Sequence, residues 1–222
     1  MKSVRCTARL RSTSPGPYSK YVRRITSCLN KAYKIQLARQ GIEHRAPSTV
    51  MSRSKKGGNS PCSSSDIGYV PAAFYCSTNE TIYYNLPETA TQRVDFALGT
   101  PAHEYAHHVQ SVTGISEVRN QRHFKASSDA ARTRLSRRME LQAQCFYGAF
   151  LSANANTMNL SRSQIAAQNR HGDEAIPGVK NHPEYRTHGN GRNNFLWSMT
   201  RGWNQRNAGW CNTWSASAKR VA

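Results

Sequence analysis

His103-Glu104-Tyr105-Ala106-His107 is the feature that most restricts how this chain can fold. Two imidazoles four residues apart act together only on a helix, where positions i and i+4 share a face. The chain must therefore be helical through residue 105, with that face turned toward a site. In such an HExxH arrangement His103 and His107 bind one zinc ion, and Glu104 leans toward a water on the metal. Zinc lowers the pKa of that water to roughly 7, and the carboxylate can take its proton and pass it to a leaving amine. The bland alternative is a surface helix with two solvated histidines, so the motif needs context.

A catalytic zinc takes three protein ligands and keeps a fourth position for water. The metzincin continuation needs Gly at 110 and His at 113, and the chain has Gln110 and Thr113 there, which excludes that class. The other common solution is a Glu from a following helix. Glu140, in Met139-Glu140-Leu141-Gln142-Ala143-Gln144-Cys145, is the candidate. Gln144 falls one turn later on the same face and is expected to accept a bond from a ligating imidazole, which would hold its tautomer. Alone, Glu140 would read as a surface carboxylate paired with Arg137 or Arg138. His108 points about 100° away from its neighbour His107 and reads as exposed or as a support behind the ligands.

A helix is expected from Tyr18 to Gln40, on the spacing of Tyr21, Val22, Ile25, Cys28, Leu29, Ala32 and Tyr33, with Gly41 as its cap. Residues 45–61 read as linker by composition. Ala72–Cys76 and Thr81–Leu86 read as a hairpin. Thr100-Pro101 reads as the start of the zinc helix, which should end near Val112 before Gly114. A longer helix is expected from about Ser128 to Asn154, then short ones near 162–170 and 191–204. These elements make an α+β fold, mostly helical with a small hairpin before the zinc helix. The expected division is a basic N-terminal segment at 1–60, a domain at 61–215 and a flexible tail at 216–222.

The net charge of +19 is unevenly placed: residues 1–60 hold fourteen Lys/Arg against one acid, Glu43. Such a field attracts polyanions of any kind, and its plain reading is a solvated, partly disordered leader. No apolar stretch approaches the roughly 20 residues of a membrane helix, and Met1–Cys6 lacks the apolar core of a signal peptide. Six cysteines stand at 6, 28, 62, 76, 145 and 211 without a CxxC pair. An even count at wide spacing suits three disulfides and an oxidising compartment, with the pairing open.

His103-Glu104-Tyr105-Ala106-His107-His108-Val109-Gln110 together with Glu140-Leu141-Gln142-Ala143-Gln144-Cys145 resembles the bacterial neutral zinc metallopeptidase family. The likeness extends to Phe74-Tyr75-Cys76, Thr81-Ile82-Tyr83-Tyr84, Gly172-Asp173-Glu174, Thr187-His188-Gly189 and Cys211-Asn212-Thr213-Trp214. It covers about residues 62–214, and more loosely the Cys28-Leu29-Asn30 helix. The resemblance implies a zincin-like fold whose edge strand can pair with an extended peptide. It implies one zinc held by His103, His107 and Glu140, Glu104 as general base, and an extracytoplasmic or secreted location. It also suggests disulfides Cys62–Cys76 and Cys145–Cys211, leaving Cys6 with Cys28. Three residues depart from the family pattern: Ala106 for Gly, Gln144 for Asp, and Pro101 two residues before the first ligand. His188, in its Thr-His-Gly loop, is the expected donor to the tetrahedral oxyanion, with Tyr185 behind it.

The expected activity is therefore zinc-dependent hydrolysis of peptide bonds in a peptide or protein substrate. The alternative is a catalytically weakened relative that binds a polyanion, such as cell-wall polymer, membrane surface or nucleic acid, through residues 1–60. A DNA-associated HExxH protease would be expected to bring a third His ligand or a zinc ribbon, and neither stands at useful spacing.

Overall fold

The computed structural model describes residues 1–54, 58–62, 71–173 and 186–222. An extended start buries Cys6, Ala8 and Leu10 and leads into α1, Pro15–Ala38. This helix ends in a Schellman turn: Ile42 N donates to Leu37 O and Gly41 N to Ala38 O, with Gly41 at φ +68°. Its buried face is the apolar set expected, from Tyr18 and Tyr21 to Leu37, and its outer face exposes Lys20, Arg23, Arg24, Lys31 and Lys34. The solvated-leader reading fails here. Large apolar side chains at helical spacing each gain about 1.5–3 kcal/mol on burial, which a free tail forgoes.

The linker reading of 45–61 also gives way, because β1 occupies Ser48–Ser52. The expected hairpin is β2, Ala73–Cys76, antiparallel to β3, Thr81–Asn85, and β1 adds to β3 in parallel, giving the order β1-β3-β2. Five residues with serine at both ends carry no strand signal of their own; β1 exists because β3 offers an edge. Asn85 N donates to Ala72 O. By antiparallel alternation Ala73 and Tyr75 then turn their peptide groups to the outer edge of β2, where no strand pairs among the described residues.

After α2, Leu86–Ala90, comes α3, Val94–Val112, which carries the HExxH residues. It starts six residues before the expected Thr100-Pro101 cap, with Pro101 inside. The apolar series Ala97, Leu98, Ala102, Tyr105, Ala106, Val109 is buried from its first member. That packing carries the helix through a proline that costs it one backbone bond. Gly114, at φ +76°, closes it as expected. The next helix, α4 (Ile115–Lys125), buries no residue, so it had no apolar stripe by which to be read.

Helix α5, Asp129–Met158, is opened by Ser128 Oγ accepting from Ala131 N. It is followed by α6, Arg162–Gln168, and α7, Gly191–Phe195, which runs into a π-helical stretch, Leu196–Trp203. α5 and this stretch meet backbone to backbone: a Cβ on Gly148 would lie 2.0 Å from Ser198 O. Gly148→Ala is therefore expected to destabilise by about 1–3 kcal/mol or more, read as a lowered thermal midpoint. An unchanged midpoint would mean that the two helices separate freely.

One core joins these elements, and it runs across residue 60. Tyr33 of α1 stacks on Tyr105 of α3 at 5.3 Å, and Tyr105 Oη donates to Asn30 Oδ1 at 2.7 Å. The tail expected to be flexible is docked as well. Val221 is buried, Arg220 O accepts from Trp197 Nε1, and Ala222 O accepts from Asn190 N. The tail makes these bonds through its backbone carbonyls, so no periodicity of side chains announced them. Disulfides join Cys6–Cys28, Cys62–Cys76 and Cys145–Cys211, the pairing that the resemblance suggested. Among the described residues no helix is long and apolar enough to cross a membrane. The fold is α+β, consistent with a zincin-like metallopeptidase domain.

Candidate metal centre

Helices α3 and α5 pack together and bring three ligand atoms to one point. His103 Nε2 and His107 Nε2 lie 3.1 Å apart, and Glu140 Oε2 is 3.1 Å from the first and 3.2 Å from the second. Ligands on a tetrahedral zinc at 2.0–2.1 Å are roughly 3.3 Å from one another, so this triangle fits the ion. The chemistry of the set agrees, two imidazoles and a carboxylate being a standard catalytic zinc site. Arg137 and Arg138 do not pair with Glu140; they donate to carbonyls of Arg186 and of Thr213 and Ala216.

Burial pushes the Glu140 carboxyl up, but the His107 and His188 imidazoles and the bonds from His103 and His107 outweigh it and hold it well below the usual range. Burial lowers His107, and Glu140 above all reverses this, taking it to about 9. In the metal-free protein His107 thus keeps a proton that zinc must displace. Apparent zinc affinity is expected to rise about tenfold per pH unit from pH 7 and to level off above about 9. A competition titration against a chelator of known pH dependence checks this; a flat profile would refute it.

His107 Nδ1 is 2.9 Å from Gln110 Oε1. Gln144, expected to hold a ligating imidazole, makes no bond to either ring among the described residues. It lines the cleft beside His103, whose buried Nδ1 has no partner among the described residues. The reason lies in the ring orientation: the Nδ1 of His107 faces Gln110, one turn further along α3. In the sequence Gln110 serves to rule out a metzincin and to close the family motif, with no role of its own. Its i+3 spacing from His107 was the available signal.

His108 is fully buried rather than exposed. Its Nε2 lies 2.6 Å from Arg45 O and its Nδ1 3.2 Å from Tyr75 Oη, so it ties α3 to β2 and to the chain before β1. Burial chiefly holds its pKa low. Glu104 is buried and lines the same cleft as His103, Gln144 and His188.

His188 arrives from a distant loop, its Nε2 3.4 Å from Glu140 Oε2. The loop is held by Asp173, a buried carboxylate that accepts from His188 N at 3.0 Å and Gly189 N at 2.8 Å, with Gly189 at φ +76°. Burial would lower the His188 pKa, but Glu140 and Asp173 raise it. His103, Glu140 and His188 also form a group able to hold a metal, so His188 stands at the edge of the ligand set. Tyr185 and Glu174 lie outside the described residues. The cleft over the site holds about 380 Å³ and is walled by Ala73 of β2, Phe96, Gly99, Tyr147 and Asn194.

The family model described as "Putative neutral zinc metallopeptidase" matches residues 3–214. The chain belongs to this family. It is also 30% identical, over 93% of its own length and 76% of theirs, to the uncharacterized protein YpfJ of two Escherichia coli strains, K12 and O6:H1. No solved structure matches. The family match includes α1 and β1, in keeping with the core that spans residue 60.

Proposed function

We propose that this family member is a zinc-dependent peptidase. The observation that carries the reading is the triangle of His103 Nε2, His107 Nε2 and Glu140 Oε2, each pair within 3.2 Å, with His103 lining an open cleft. When bound, zinc polarises a scissile carbonyl and acidifies water. Glu104, one residue from a ligand and facing the same cleft, accepts the proton of the attacking water and delivers it to the leaving amine. The peptide groups of Ala73 and Tyr75 on the outer edge of β2, unpaired among the described residues, hold an extended substrate by strand addition beside the site.

His188 donates from Nε2 to the oxyanion, steadied by Asp173. His188→Ala is expected to lower kcat by about 10²–10³-fold with zinc content unchanged. Loss of zinc in that variant would instead make His188 a fourth ligand. Cleavage of an unstructured protein such as casein by the zinc-loaded chain, abolished by a chelator and restored by zinc, tests the whole reading. A chain holding one zinc and cleaving nothing would end it.

Three disulfides support an oxidising, extracytoplasmic setting. One observation favours an additional polyanion contact: α1 carries no acid and presents Lys20, Arg23 and Arg24 beside Arg53. Such contact should weaken steeply with salt and be indifferent to zinc.

A further inference from the structure

We propose that Gln110, itself oriented by Gln142 and the Cys211–Trp214 segment, is a positioning residue that fixes the tautomer of His107 and so aims its Nε2 at the metal. The inference rests on the metallopeptidase reading and adds to it a support that lies wholly outside the cleft.

The polarity of this buried chain has one solution. Gln110 and Gln142 are almost completely buried, so their amide groups must find partners in the protein. Gln110 Nε2 donates to Met139 O at 2.9 Å and to Gln142 Oε1 at 3.0 Å. A carbonyl oxygen only accepts, so the amide nitrogen must face Met139 and Gln110 Oε1 must face the other way. There it meets His107 Nδ1 at 2.9 Å. Gln142 is determined in the same manner. Its Nε2 donates to Cys211 O at 3.2 Å, and its Oε1 accepts from the indole Nε1 of Trp214 at 3.3 Å as well as from Gln110. An indole nitrogen only donates. A pure acceptor at Cys211 and a pure donor at Trp214 therefore fix Gln142, which with Met139 fixes Gln110.

The consequence reaches the ligand. An oxygen acceptor at Nδ1 places the imidazole proton there and leaves the lone pair of Nε2 for the metal. The segment that does this is fastened to α5 by the Cys145–Cys211 disulfide and by Thr213 Oγ1 donating to Arg138 O at 2.7 Å. The chain after 210 thus belongs to the metal centre, although it contributes no ligand. Among the described residues His103 has no equivalent, its buried Nδ1 meeting no partner there, so His107 is the better oriented of the two rings.

The test uses the full chain with zinc(II), a chromogenic chelator as competitor, and nitrogen-15 labelling of histidine. In the zinc-loaded wild type, His107 should show a slowly exchanging proton on Nδ1 and ligation through Nε2. Gln110→Met, close in volume but without an acceptor oxygen, should bind zinc about 10–100-fold more weakly and lose the slow exchange. Gln142→Met should give a smaller loss, because Met139 O still holds Gln110. Ligation of wild-type His107 through Nδ1 would overturn the proposal without any variant having to fold. Equal zinc affinity in Gln110→Met would overturn it too. A wild type that binds no zinc fails the metallopeptidase reading itself, an outcome distinct from failure of the relay.

Discussion

Glu104→Gln is expected to bind zinc as the wild type does and to lose about 10²–10⁴-fold in turnover. A positioned general base contributes on that order, and an amide cannot take a proton. The substitution is close to isosteric. Glu104 is buried on the cleft side of α3, next to His103 but outside the ligand triangle, so metal content should stay near one per chain. Zinc by elemental analysis and cleavage of an unstructured protein, measured on the same preparation, check both halves. Undiminished cleavage would show that another group handles the proton. Loss of zinc would show that Glu104 is a ligand, and the assignment of Glu140 would then need revision.

Glu140→Ala is expected to have the opposite signature: zinc falling toward none after dialysis, and activity with it. Glu140 Oε2 contacts His103, His107 and His188 Nε2 within 3.4 Å, so its loss removes the carboxylate that these three crowded imidazoles share. In the metal-free protein the same contact is the main cause that takes His107 to about 9, so Glu140→Ala should bring it well down from there. The metal-free wild type gains stability from that raised value below about pH 6.5 and loses the gain as pH rises through 9. The variant should lack this pH dependence of its thermal midpoint. A Glu140→Ala protein that kept one zinc would remove α5 from the site.

Much of this site was legible because metal chemistry and helical geometry act over short spans. HExxH needs only one turn of helix to bring His103 and His107 together, and Glu140 needed only a second helix facing the first. The hairpin, the Ser128 cap and the Gly41 and Gly114 terminations were likewise local matters of backbone preference. The early start of α3 was not. Pro101 is a local signal against continuing a helix, and the buried series from Ala97 overrides it only because partners from elsewhere in the chain cover that face.

Residue order therefore pointed to most of the helices, to the cluster of His103, His107 and Glu140 and, with the family likeness, to the three disulfides. Only the tertiary structure decided that α1 and β1 belong to the core, that the C-terminal residues are docked, and that Gln110 rather than Gln144 meets the His107 ring. The physical reason is common to all three. Each depends on a polar or weakly patterned residue meeting a donor, an acceptor or a strand edge far away in sequence. A glutamine, a serine-flanked strand or a carbonyl shows nothing of its partner until the chain has closed around it.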